Sequence, residues 1–365
     1  MKVYLDPSKS YYKANLHCHS RYSDGRATRE DIKREYMKHG YSAVAFTDHE
    51  HTIDPSELTD ENFIAICGCE LSVGGGPKVD PYAPYPSGKC VHMCLYAKDP
   101  ENHLTPCYSE KQDYYKFEDV RHLVVSEGDY TRVYSPEGVN EIVRIAHEKG
   151  FLVSYNHASW SLEDARDYLA YDGFDFVELH NTGCVVIGHP NEEYVYTNML
   201  RDGKKIYCIA TDDNHNAYGF EGDRTDSFGG WVMINAEKLG YRELMDALEA
   251  GDFYASTGPE IYSLSVEDDM TVKVTFSEAR RAVIITQGRR TTSTFDVADG
   301  TASFKIHPRD VYFRIRIDDG HGHSAYTQLY EIPEDIRARV AEIAAEKEAA
   351  EKAAREAAEK AITAK

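Results

Sequence analysis

No apolar run in these 365 residues approaches the roughly 18 positions that a membrane-crossing helix needs, so no membrane partner is expected. The opening MKVYLDPSKS lacks the basic and apolar regions of a secretory signal, which makes the cytoplasm the expected compartment. Cysteine occurs eight times but never as C-x-x-C, and so many thiols scattered through a chain of this size do not read as a disulfide framework. Positive charge is scarce. Lys and Arg number 41 against 62 Asp and Glu, a formal net charge of −21, which opposes the phosphate-backbone attraction on which nucleic-acid binders depend. A long nucleic acid is therefore excluded as partner. A small anionic substrate is not, because bound divalent cations reverse the local field of a site built from carboxylates.

Single cores seldom grow beyond roughly 250 to 300 residues, so this length indicates a large unit with a smaller appendage. Through residue 258, short apolar runs alternate with helical stretches, the pattern of a parallel sheet or barrel with helices outside. The strands are expected to end near His17, Thr47, Glu70, Tyr96, His157, His180 and Thr211. Thr28 with Asp31 signals a helix start and Gly40 a stop; Ser135, Pro136 and Gly150 frame a second helix in the same way. Two irregular segments, Val73 to Lys89 and Lys98 to Tyr134, are long enough to act as lids. From 259 to 332 apolar and polar residues alternate between turns, indicating a small antiparallel β domain. Residues 333 to 365 are almost all Ala, Glu, Lys and Arg after a short amphipathic start at Ile336, Val340 and Ile343, a solvated helical tail.

The polar residues at the expected strand ends form a pattern. In NLHCHSRYSDG, His17 and His19 are two positions apart and would project from one strand face, with Asp24 in the following loop. FTDHEH supplies Asp48 and His49, CGCE supplies Glu70, YNHAS supplies His157, and ATDDNHN supplies Asp213 and His215. His92 lies early in its strand and fits the pattern less well. Active sites of α/β barrels are assembled from strand C-termini and the loops after them. Six histidines and three carboxylates suit divalent Zn, Mn or Fe, and nine ligands exceed the needs of one ion, so two or three ions are indicated. Asp48 is placed to orient an imidazole from behind. Cys18, Cys67 and Cys69 interleave with these residues and are assigned to packing, whereas His39, His103, His122, His147, His307, His321 and His323 fall outside the pattern.

On HCHSRYSDG, FTDH, GCE, NHAS and TDDNH, spread over about residues 11 to 258, the chain resembles the polymerase and histidinol phosphatase (PHP) superfamily of metal-dependent hydrolases. ALEAGDFYASTGP and RIRIDDGHGHSAYTQ look like the branch that includes carbaryl-hydrolase-like proteins. The resemblance implies an α/β fold, a distorted seven-stranded (β/α) barrel, and a trinuclear site. One ion would take His17, His19, Glu70 and Asp213; a second would share Glu70 and take His92 and His157; a third would take Asp24, His49 and His215. The reaction expected first is hydrolysis of a small phosphomonoester or phosphodiester by a shared, metal-activated hydroxide. Arg21, Arg26, Lys89 and Arg224 are candidates to contact phosphate, and His180 in VELHN to protonate the leaving group. Two alternatives stand beside it: the same metals cleaving an amide, carbamate or carboxylic ester, and a metal-stabilised binding scaffold without turnover.

Overall fold

The computed structural model describes residues 1–79, 87–112, 119–289, 291–307 and 309–332, and in the tail 334, 337–338, 341–342, 345–346 and 348–354. Ile336, Val340 and Ile343 lie outside the described residues, as do parts of both expected lid segments.

After a first strand, β1 (Lys2–Leu5), seven strands follow: β2 (Ser10–Asn15), β3 (Tyr41–Phe46), β4 (Ile64–Val73), β5 (Val91–Ala97), β6 (Phe151–Tyr155), β7 (Phe176–Asn181) and β8 (Tyr207–Thr211). They neighbour one another in chain order. The expected closure into a seven-stranded barrel is not what the pairing shows. The far edge of β2 pairs with β9 (Trp231–Ala236), β9 pairs with β10 (Phe253–Ser256), and β8 lies against both without a hydrogen-bonded ladder. Nor is the sheet wholly parallel, because β5 runs antiparallel to β4 and to β6. Reversal carries the start of β5 to the rim where its neighbours end, and His92 pairs in register with Ser72 near the end of β4. An imidazole early in a strand thereby joins those at the ends of others.

The caps follow the local chemistry. Helix α1 (Arg29–Lys38) starts at Thr28, whose side chain accepts from the Asp31 amide, and the chain leaves it through Gly40 at φ 78°. Helix α2 (Pro136–Glu148) starts at Ser135 with proline in its first turn and buries Val139, Ile142, Val143 and Ala146, one stripe at helical spacing, against the sheet. Two short helices, α3 (Ala165–Tyr168) and α4 (Thr182–Val186), flank the rim.

Beyond β10 come β11 (Ile261–Val266), β12 (Thr271–Phe276), β13 (Arg281–Thr286), β14 (Thr291–Phe295), β15 (Thr301–Lys305), β16 (Tyr312–Asp318), β17 (Ser324–Thr327) and β18 (Tyr330–Glu331), all antiparallel. They bury alternate residues such as Leu264, Val272, Val274, Ile315 and Ile317 in a common core. β17 pairs with β10 of the large sheet, Gln328 bonds to both backbone groups of Cys208 on β8, and β1, which precedes β2, pairs with β11.

Candidate metal centre

The H-x-H pair stands just beyond β2, not within it, yet the backbone keeps a strand-like path. Cys18 bridges Asn214, and the Asp213 amide donates to the His17 carbonyl. Alternation survives: His17 and His19 face the interior of the rim, while Cys18 is buried with Phe46 and Ile32 on the other side. Three rim residues, Glu50, His157 and Asp213, take left-handed backbone angles (φ 71°, 25° and 50°), a strain that a surrounding structure must over-determine.

Glu70 is the hub. Its Oε1 lies 3.3 Å from His17 Nε2, 3.1 Å from His92 Nδ1 and 3.1 Å from His157 Nε2; its Oε2 lies 3.4 Å from His19 Nε2 and 3.1 Å from His49 Nδ1. Asp213 Oδ1 stands 3.2 and 3.0 Å from the Nε2 atoms of His17 and His19, which are 3.2 Å from each other. On the outer side Asp24 faces His215 Nε2 at 3.2 Å, with His49 Nε2 and His19 Nδ1 each at 3.6 Å.

These spacings fit cations. Ligands at about 2.0 to 2.1 Å from a tetrahedral ion lie about 3.4 Å apart, close to the separations within the His17, His19, Glu70 and Asp213 set. The facing Nε2 atoms of His17 and His19 can share only one proton between them, and Asp213 Oδ1 is buried without a hydrogen bond among the described residues. A second set joins His19, Asp24, His49 and His215, and a third joins His49, Glu70 and His92. His49 therefore borders two sets through its two nitrogens, and His157 stands beside Glu70 and, at 3.8 Å, Asp213.

Without a cation, protons must balance the carboxylates. Burial opposes charge on His92 and His215, but Glu70 outweighs it for the first, raising it to about 10, and Asp24 for the second, raising it to about 9. His17 and His49 are raised in the same way against burial, chiefly by Asp213 and Glu70 respectively. Burial in turn opposes ionisation of Glu70, Asp213 and Asp24, yet the surrounding imidazoles hold all three carboxyls below the usual range.

One residue absent from the sequence pattern completes the centre. Glu178 on β7 accepts from His17 Nδ1 at 2.7 Å, Thr211 Oγ1 at 2.6 Å, the His157 amide at 3.1 Å and Asn181 Nδ2 at 2.9 Å. By holding the proton on Nδ1 it turns the Nε2 lone pair of His17 toward Glu70 and Asp213.

Other expected roles move. His180 does not line the cavity: its ring nitrogens are engaged by Asn191 and Thr182, and burial lowers its basicity. It is not placed to protonate a leaving group. Among the described residues no hydrogen bond joins Asp48 to an imidazole of the cluster. It binds Arg29 at 2.8 Å and accepts from Ser20 and Ser23, whose hydroxyl in turn meets His19 Nδ1; against burial, Arg29 holds its carboxyl down to about 2. Lys89 is taken by Asp164 and Asp167 at the start of α3. Arg21 and Arg26 are exposed and outside the cavity lining, which leaves Arg224 as the expected phosphate-contacting residue that borders the cavity.

That cavity, of 580 Å³, opens over the carboxylate and imidazole cluster. Gln112 reaches its wall from the Lys98 to Tyr134 segment, which Arg132 pins to the rim through Glu50 and the Ser72 carbonyl.

A rim-facing cluster of histidines and carboxylates at the ends of sheet strands defines a mixed α/β protein with a metal-binding centre. Residues 15–194 match the family model of the PHP domain, and the chain carries that domain. No curated protein matches it. Among solved structures it is similar to a two-domain protein from Bacteroides vulgatus described as containing a predicted PHP-like metal-dependent phosphoesterase, at 13% identity over 90% of this chain and 96% of that one, TM-score 0.41. It is also similar to an amidohydrolase from Chromobacterium violaceum with bound sulfate, at 13% identity over 55% and 87%, TM-score 0.33.

Proposed function

We propose that the protein hydrolyses a small phosphate ester with two or three divalent cations, Mn, Zn or Fe, held by His17, His19, Asp24, His49, Glu70, His92, His157, Asp213 and His215. The observation that carries this reading is Glu70, whose two oxygens face different imidazole sets and so can bridge neighbouring cations. Bound cations supply Lewis acidity that brings a water toward neutral pKa and charge that stabilises developing oxyanions. The chain does the rest. Glu178 fixes the His17 tautomer, Asn181 donates to Asp213 Oδ2 and orients that carboxylate, and Arg224 offers a guanidinium from the cavity lining to a phosphoryl oxygen.

A carbamate or carboxylic ester is the second reading, favoured by the apolar side chains Trp160 and Ile187 in the cavity wall. Protein purified with Mn, analysed for elements and assayed in one sample against phosphomonoesters, phosphodiesters, carboxylic esters and carbamates separates the two. Phosphate release abolished by His17→Ala or Asp213→Ala supports the first reading. Turnover confined to carbonyl substrates replaces it with the second, and metal-dependent melting without any turnover leaves a scaffold.

A further inference from the structure

The cavity has two unlike sides. One is the cluster of ligands just described. The other is built from Trp160, Val186, Ile187 and Tyr218, which line the cavity and are 41%, 40%, 67% and 60% exposed. The Trp160 ring lies 5.1 Å from those of both His92 and His157, so the apolar side begins directly against the imidazoles around Glu70. Val186 ends α4 and Ile187 follows it, continuing an exposed aliphatic strip that starts at Val185. Apolar side chains left in water on one side of a cavity, beside a polar cluster, mark a surface that a ligand covers.

The charged groups set a limit on that ligand. Among the described residues lining the cavity, Arg224 is the one Lys or Arg, and its guanidinium stacks 3.8 Å from the Tyr218 ring centroid. Asp226, also in the lining, accepts from the His215 and Asn216 amides and adds negative charge. Glu50 and Ser72 are bound to each other and to Arg132. Beyond the Glu70 cluster, a second phosphate would find a single cationic side chain, Arg224, in the lining.

We infer that the esterified group is a flat aromatic or bulky apolar one, seated on Trp160 and against Val186 and Ile187, with a single phosphoryl group over the Glu70 cluster. This rests on the phosphoester reading and names its substrate class. Stacking on Trp160 and contact with the aliphatic strip would favour such esters over methyl esters by the area they remove from water.

Methylphosphonate and benzylphosphonate, neither hydrolysable, test it on Mn-loaded protein. The chain has two tryptophans, so Trp231→Phe leaves Trp160 as the reporting indole. Benzylphosphonate is expected to change Trp160 emission and to bind on the order of tenfold or more tighter than methylphosphonate. In the Val186→Ser, Ile187→Ser double variant, and by calorimetry in Trp160→Ala, that ratio should shrink to within about threefold. Equal affinities in the parent, or a ratio that survives both variants, overturn the inference while metal-dependent methylphosphonate binding leaves the phosphoester reading intact. Failure of both phosphonates to bind overturns both.

Discussion

Replacing Glu178 by Gln tests whether a buried acid behind the ligands governs the metal centre. The carboxylate accepts four hydrogen bonds, from His17 and Thr211 on one oxygen and from the His157 amide and Asn181 on the other. Glutamine keeps the volume but offers one acceptor oxygen, so two of those donors must face an NH₂ group. The Asn181 side chain cannot flip freely, because its oxygen caps the Cys184 amide and its nitrogen also reaches Asp213. The Thr211 hydroxyl can rotate, which places the new NH₂ beside Thr211 and His17. His17 must then accept at Nδ1 and carry its proton on Nε2, aimed at Glu70 and Asp213. That proton competes with a cation. The expected loss in metal affinity is about 10- to 100-fold, or about 1.4 to 2.8 kcal/mol, read by competition with a fluorescent chelator. Glu163→Gln is the control: this buried acid accepts from the hydroxyls of Tyr134, Tyr155 and Tyr171 and, among the described residues, from no imidazole of the cluster, and should cost stability without changing metal affinity. A Glu178→Gln protein that binds metal within twofold of the parent refutes the argument.

Stability of the metal-free chain should depend on pH with a definite sign. His92 and His215 are raised in the folded state to about 10 and about 9 from an unfolded value near 6.5, so their contribution is full below about pH 6.5 and lost as pH climbs through 9 to 10. The melting temperature should fall over that window, the metal-loaded chain should escape the fall, and calorimetry in buffers of different ionisation enthalpy should show protons released on metal binding. Asp48→Asn leaves Arg29 buried without its partner and should cost about 3 to 5 kcal/mol in urea denaturation. Arg144→Ala, removing an exposed pair with Glu148, should cost under about 0.5 kcal/mol. Gly25→Ala would place a methyl 2.3 Å from the His19 carbonyl oxygen, so the loop must shift and elemental analysis should find less metal per chain with the circular dichroism unchanged.

The rim was legible because its chemistry is local. Strand ends, caps and the nine polar residues beside them follow from alternation and turn signals that lie within a few residues of each other, and the structure brings all nine together. What escaped depends on neighbours distant in sequence. Glu178 reads as one acid inside a strand until β8 supplies Thr211 beside it and the loop after β2 supplies His17. His180 shares its strand and nominal face, but the ladder between β7 and β8 slips between Glu178 and His180, and such an irregularity re-aims a side chain. Lys89 finds its carboxylates on α3, 75 and 78 residues away. Strand direction escaped for another reason: a period of two looks the same whichever way the chain runs.

The reversed strand also bears on how this site could be altered. Parallel neighbours demand a crossover of about a dozen residues or more, whereas antiparallel ones can be joined by a two-residue turn. Between β4 and β5 the chain needs only such a turn, so most of the residues between the paired Val73 and Val91 exceed what the pairing requires. Here insertion or deletion asks no strand to find a new neighbour. The reversal makes this connection a place where the chain can change length independently of the frame that holds the polar cluster.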